Sequence, residues 1–191
     1  MILFLITNMV YSQIPKNLLE SDTDCSSYLL DLINDYRKTK NLNPLKIDTS
    51  LNKACIHHCD YMSVYDNSTH IENNRDSSNI IESIPYPLER IEFYGGSRGN
   101  SVSENCLNIG PMIFNDSINK KLSELWKSNI SKNIIDPKIA ARCVLNKWIE
   151  SPYHNSVLLD KEATFSGVYQ KVYINKYGKY RITSNLLITN R

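Results

Sequence analysis

Four side chains in this sequence have the chemistry of an acid–base or metal site: His70, Glu104, Glu150 and His154. Imidazole nitrogens and carboxylate oxygens are the donor set of a zinc-like divalent ion with open positions, and the same pairs do general acid–base work. The chain has only four histidines, so the choice is narrow. No HExxH pattern sets two of them on one helix face, so tertiary structure has to group them. Cys106 and His154 are a conceivable nucleophile–base pair, against which a disulfide or a buried thiol is the commoner use of a cysteine.

Among the elements that must position these groups, the clearest is the stretch 148–159, WIESPYHNSVLL. Proline pushes the residue before it out of the α region and suits the first helical position, and serine is a good N-cap. One helix therefore stops near Glu150 and another starts at Pro152. His154 then lies in a first turn, where unpaired N–H groups and the positive helix end disfavour imidazolium. A neutral, oriented imidazole is a usable ligand or base; the competing reading is a polar surface turn.

Upstream, Tyr28, Leu29, Leu32, Ile33 and Tyr36 recur at the helical period and predict a helix from Cys25 to Lys40, ended by Asn41–Pro44. Leu45-Lys46-Ile47 is a short extended link, and Asp48 or Thr49 can cap a second helix over 50–65. Its stripe of Leu51, Cys55, His58, Met62 and Tyr65 is a core face. Cys55, His58 and Cys59 are also spaced to face one metal, but a hydrogen-bonded core histidine among small buried cysteines is the plainer reading.

Asp66–Thr69 turns into His70-Ile71-Glu72, residues 73–87 are loop-like, and Leu88–Tyr94 is a short strand or helical turn. Gly95–Asn100, GGSRGN, lacks the GxxxxGK pattern of a phosphate cradle and is a connection. Ser101–Ile109 alternates as a strand, with Val102, Glu104 and Cys106 on one face and Ser103, Asn105 and Leu107 on the other. Within 111–137, Ile118, Leu122, Leu125, Trp126 and Ile130 make an amphipathic helical stripe, and Ile139, Cys143, Val144 and Trp148 mark a further helix over Lys138–Glu150.

Phe165–Asn175 and Gly178–Thr189 close the chain as a β-hairpin. Val168, Val172 and Ile174 face one way in the first strand, as do Tyr180, Ile182, Leu186 and Ile188 in the second, leaving Tyr169 and Tyr173 to face outward. Helices early, strands in the middle and at the end, and no regular βαβ alternation predict an α+β domain, an antiparallel sheet covered by helices.

At 191 residues and 22.0 kDa the chain suits a single core. With a net charge of +2 and its cations scattered, densest at Arg37-Lys38-Thr39-Lys40, it lacks the concentrated basic field of a nucleic-acid binder. Residues 1–12 begin MILFLITNMV and resemble a secretory signal peptide, though with no Lys or Arg before Lys16, as in a shortened leader. The run is well short of the ~20 apolar residues of a membrane span. Residues 13–24 are a polar lead and 25–191 the domain. Five cysteines in an exported chain permit two disulfides and leave one thiol, with the pairing open. No CxxC suggests a zinc ribbon or a redox motif.

Taken in order, DLINDYRKTKNLNP (31–44), LNKACIHHCDYM (51–62), Ser68-Thr69-His70, Glu89-Arg90-Ile91, Ser103-Glu104-Asn105, WIESPYHNSVL (148–158) and the closing sheet resemble the CAP superfamily. These SCP-like domains occur in cysteine-rich secretory and plant pathogenesis-related proteins, and the likeness is closer to the bacterial secreted members. It spans Cys25 to Thr189 and implies a three-layer α-β-α sandwich with a central antiparallel sheet, a cleft, and export from the cell.

The resemblance also implies that His70, Glu104 and His154 converge on the cleft as candidate ligands for a divalent metal such as zinc. Many members carry a second glutamate three residues after the tryptophan. Here that place is Ser151, with Glu150 one step earlier and about 100° round a regular helix, which makes it the outlying fourth candidate. Asn105 is expected to bond neighbouring backbone. The 111–137 segment has no counterpart in the family pattern.

The leading functional expectation is a secreted, monomeric binding module, its cleft holding a divalent ion or small extracellular ligand without turnover. Its partner would be an extracellular protein, glycan or small molecule, with no nucleic acid and no membrane span. An alternative is a hydrolase in which metal-bound or Glu104-activated water attacks a peptide or cell-wall bond. A third is an adhesion or scaffold protein using 111–137 and the tyrosine-rich hairpin, for which twelve tyrosines fit an interaction surface as well as they fit sheet propensity. The sequons at Asn67, Asn115 and Asn129 matter where the source glycosylates exported chains.

Overall fold

The computed structural model describes residues 22–73, 81–97, 99, 101–110, 124, 137–177 and 180–190. Its elements run α1 (Asp22–Thr39), β1 (Lys46–Ile47), α2 (Thr49–Tyr65), α3 (Pro87–Phe93), β2 (Val102–Ile109), α4 (Pro137–Glu150), α5 (Pro152–Leu158), β3 (Phe165–Ile174) and β4 (Tyr180–Thr189). The expected signal peptide, the polar lead up to 21 and the stripe Ile118, Leu122, Leu125, Trp126 and Ile130 lie outside the described residues.

Local chemistry sets the helix ends. Asp48 caps α2, its carboxylate accepting from the backbone N–H groups of Ser50 (3.0 Å) and Leu51 (2.9 Å). Asp66 ends the helix in the left-handed region at φ 49°, its N–H returning to the carbonyl of Met62. The break after Glu150 falls at Ser151-Pro152, as the proline requires. Ser151 occupies the N-cap position with extended backbone, but its side chain makes no capping bond, so proline geometry alone starts α5.

The sheet order is β1-β3-β4-β2. β3 and β4 pair antiparallel from Phe165↔Thr189 to Ile174↔Tyr180, and β2 joins β4 antiparallel from Val102↔Thr189 to Ile109↔Ile182. The expected link Leu45–Ile47 instead supplies β1, parallel to β3, through Lys46 N–H to the Thr164 carbonyl (2.9 Å) and Asp48 N–H to the Ser166 carbonyl (2.8 Å). The sheet is therefore mixed rather than wholly antiparallel. Beyond β1, the free N–H groups of β3 are covered by side chains: Val168 donates to Asn52 and Gln170 to Ser26.

Helices cover both faces. On one, Leu29 and Ile33 of α1, Val144 and Trp148 of α4 and Leu158 of α5 pack on Val168, Val172, Ile182 and Leu186. On the other, Leu51, Ala54 and Cys55 of α2 and Ile91 of α3 pack on Leu187. The second layer corrects the expectation that Tyr169 and Tyr173 face outward. Tyr173 is buried, donating its hydroxyl to Asp66 (2.8 Å) and Asn108 (3.0 Å), and Tyr169 packs beneath α2. Side chains alternate across a strand, so a sheet covered on both sides buries both sets.

Arg37, expected in a surface cationic cluster, is wholly buried, its guanidinium donating to the carbonyls of Asn43, Leu158, Asp160 and Ala163. It ties the end of α1 to the loop that follows α5. All five cysteines are free and buried, where two disulfides were permitted. Cys25 and Cys143 belong to the α1/α4 layer, while Cys55, Cys59 and Cys106 lie in the layer under α2. Burial pushes the thiols of Cys106 and Cys143 up to about 12. Among the described residues no helix is long and apolar enough to cross a membrane.

The α2–β3 contact leaves no room at Gly167, where a Cβ would overlap the backbone of Leu51 and Asn52. Gly167→Ala is expected to destabilise the fold by about 1–3 kcal/mol or more. Gly110→Ala, whose Cβ would meet only the Arg181 guanidinium at an ordinary 3.5 Å, should be near neutral, both being read from denaturant midpoints.

Candidate functional site

Strand β2 is an edge strand, and its alternation sends neighbouring side chains to different helical layers. Glu104 points towards α2 and is 3% exposed, meeting His70 with 2.8 Å between Oε2 and Nδ1. Its other oxygen, Oε1, accepts from Arg90 Nη2 (2.7 Å) and Asn185 Nδ2 (2.8 Å). Asn105 turns to the opposite layer and donates to the backbone carbonyl of His154 at 2.9 Å, the structural role expected of it. The two histidines thus reach one strand from opposite sides, His70 from the turn after α2 and His154 from α5.

Behind this pair lies a second carboxylate, Glu72, fully buried. It meets His58 Nδ1 at 2.7 Å and His57 Nε2 at 3.2 Å, accepts the Ile84 N–H at 2.8 Å and stands 3.4 Å from Arg90 Nη1. His58 Nε2 bonds the Thr69 carbonyl (2.7 Å), and His57 Nδ1 meets the Tyr94 hydroxyl (3.0 Å). Arg90, wholly buried, bridges both carboxylates and also donates to the carbonyls of His70, Ile84 and Pro85. A buried ion pair this dense survives because nearly every charged atom has a partner.

The charges act on one another as the geometry requires. Burial works to raise Glu72, but bonds to His57 and His58, the charge of Arg90 and the Ile84 N–H overcome it and bring the group down to about 2. Glu104 is likewise held below its ordinary range, His70 and Arg90 outweighing burial. The bond to Glu104 raises His70, against burial. His154 is lowered, first by burial and then by the charge of His70. The direction matches the expected neutral imidazole, but the causes are burial and a neighbouring histidine.

Glu150 pairs with Lys147 at the end of α4, its side chain 40% exposed. The structure therefore brings His70 onto Glu104, ties His154 to β2 through its backbone carbonyl and turns Glu150 towards solvent. Cys106 lies on the same face of β2 as Glu104, 3.6 Å from His70 Nδ1, so the histidine it meets is His70 and not His154. Among the described residues, His58, Glu104 and Cys106 offer three potential metal donors within 4.8 Å of one another, in place of the Cys55, His58 and Cys59 set suggested by helical spacing. Gly95–Gly99 spells the letters of a G-x-S-x-G elbow. It follows a helix and precedes a strand, the reverse of the context that exposes such a serine.

Glu72, Arg90, His57 and Asn185 were not singled out as site residues. Arg90 lies within one of the family-like pieces and Glu72 only two residues beyond His70, yet neither position shows that its charge is buried. Asn185 lies 81 residues from Glu104, and only the β2–β4 pairing brings them together.

Residues 30–183 match the model of the cysteine-rich secretory protein family, CAP. The chain belongs to this family. Its CAP domain is similar to an extracellular SCP-domain protein of Bacillus anthracis, with a TM-score of 0.62 and 15% identity over 93% of this chain. It is also similar to an outer surface protein of Borrelia burgdorferi, with a TM-score of 0.53 and 20% identity over 85% of this chain and 90% of that one. The chain spans 44% of the Bacillus protein. No curated protein matches it. At these identities the likeness is one of fold, and that fold is the α+β sandwich described above.

The depressed acidity of Glu72 has a consequence for this CAP domain. Because the folded state binds the proton less tightly than the unfolded chain, the group's stabilisation is complete above about 4.5 and is lost as pH falls towards about 2. Glu72→Gln should flatten the acid limb of the stability–pH curve. At neutral pH it should cost about 3–5 kcal/mol, since Arg90 and two histidines lose their carboxylate. Urea unfolding from pH 7 to pH 2 checks both.

Proposed function

We propose that this CAP domain acts outside the cell as a binding module whose His70–Glu104 pair, with His154 beside it, takes a divalent ion such as zinc without turnover. The observation that carries this reading is the state of Glu104. Its Oε1 is neutralised by Arg90 and Asn185, while Oε2 is turned to an imidazole whose side chain is 44% exposed. A carboxylate committed to three donors and held in its ionised form makes a fixed ligand or an orienting group for a ligating histidine. The same commitment makes it a poor proton acceptor, which disfavours the hydrolase reading.

The donor set fits a divalent ion: imidazoles and a carboxylate, with one histidine lowered towards its neutral, ligating form. A bound ion would supply a positive centre for an extracellular partner or small molecule. An extracellular setting is supported by the apolar lead of residues 1–12 and by the similar proteins, described as an extracellular and an outer surface protein.

Calorimetric titration with zinc should show stoichiometric binding by the wild type and none by the His70→Ala/His154→Ala double variant. At a zinc concentration 100-fold above Kd the wild type should gain about 2.7 kcal/mol of stability. Equal binding by the double variant, or no binding by either protein, would sink this reading.

A further inference from the structure

We infer that Cys106 is a metal ligand, and that the ion is a thiophilic one, zinc or its like, held beside His70 by His70 Nδ1, Glu104 Oε2 and Cys106 Sγ. This rests on the divalent-ion reading and adds a sulfur to its donors. The place where many family members were expected to carry a second glutamate is Ser151 here, and Glu150 is paired with Lys147. Cys106, on the same face of β2 as Glu104, supplies a donor from another direction.

Distances support this. In a tetrahedral zinc site with Zn–S about 2.3 Å and Zn–N about 2.0–2.1 Å, sulfur and nitrogen stand about 3.5 Å apart. Cys106 Sγ and His70 Nδ1 are 3.6 Å apart. The corresponding nitrogen–oxygen separation is about 3.3 Å, so the 2.8 Å between His70 Nδ1 and Glu104 Oε2 opens by a few tenths of an ångström when an ion replaces the shared hydrogen.

A potential donor atom of His58 lies within 4.8 Å of those of Glu104 and Cys106. Glu72 holds His58 Nδ1 and the Thr69 carbonyl holds Nε2, so His58 stands behind the three donors as a fixed part of the wall.

The Cys106 thiol releases its proton to solvent as the sulfur–metal bond forms, the Glu104 carboxylate has none to lose, and His70 binds through Nδ1 with its remaining hydrogen on Nε2. The His70 side chain is 44% exposed, so this group of donors borders solvent.

The experiment uses cobalt(II) as a coloured substitute for zinc in the full chain, with zinc-edge X-ray absorption on the zinc-loaded wild type. A thiolate-to-cobalt charge-transfer band is expected in wild type and in Cys25→Ser, and not in Cys106→Ser. Zinc affinity of Cys106→Ser should fall by at least the ~100-fold that loss of a supporting partner alone can reach. Absorption should show one sulfur at about 2.3 Å from zinc in the wild type, a readout that stands even where a variant fails to fold. Cobalt bound without the band, together with a zinc shell of nitrogen and oxygen only, overturns the Cys106 assignment while leaving the binding reading in place. No binding of either ion by the wild type overturns both.

Discussion

Arg90 sits wholly buried between two carboxylates, and the arrangement around β2 depends on it. An isolated charge in the interior would be driven to neutralise, and two neighbouring carboxylates would not both stay ionised. One guanidinium, with its fixed fork of donors, holds both, and its terminal nitrogens also donate to the carbonyls of His70, Ile84 and Pro85. The clamp therefore also fixes the backbone on either side of Glu72. A lysine there would offer a point charge in place of the fork.

The same clamp divides labour between the carboxylates. Glu72, enclosed by His57, His58 and the Ile84 N–H, is a structural anchor linking α2 to the segment after it. Glu104, one oxygen against Arg90 and Asn185 and the other turned to a partly exposed histidine, is at the boundary between the interior and solvent. A rigid buried side and an accessible imidazole are what a binding site needs from its supporting shell. Asn105, next in the chain, secures the backbone of His154 from the opposite face of the strand.

Much of the fold was legible from pattern. The α1 and α2 stripes, the proline break at Ser151-Pro152, the alternation of β2 and the terminal hairpin all follow from periodicity and backbone sterics, which act within a few residues. The errors share another origin. Tyr169 and Tyr173 alternate with apolar residues as on a half-solvated sheet, and only the seating of α2 on that face covers them, Tyr173 fully and Tyr169 in part. Arg37 sits in a cationic run at a helix end, and its burial depends on carbonyls more than a hundred residues away. Lys46-Ile47 is too short to announce itself as a strand.

For the site, residue types and family-like pieces were enough to name His70, Glu104 and His154 as candidates and to place Glu150 about 100° off. The clamp that sets their charges could not be read in the same way. Whether Arg90 is a surface cation or a buried bridge, and whether Cys106 meets His70 or His154, depends on contacts across 14 and 36 residues of sequence. By itself the sequence determined where helices and strands begin, end and face, because those preferences are local. Tertiary structure alone decided which charges share a dry interior, because desolvation and pairing depend on what the rest of the chain brings alongside.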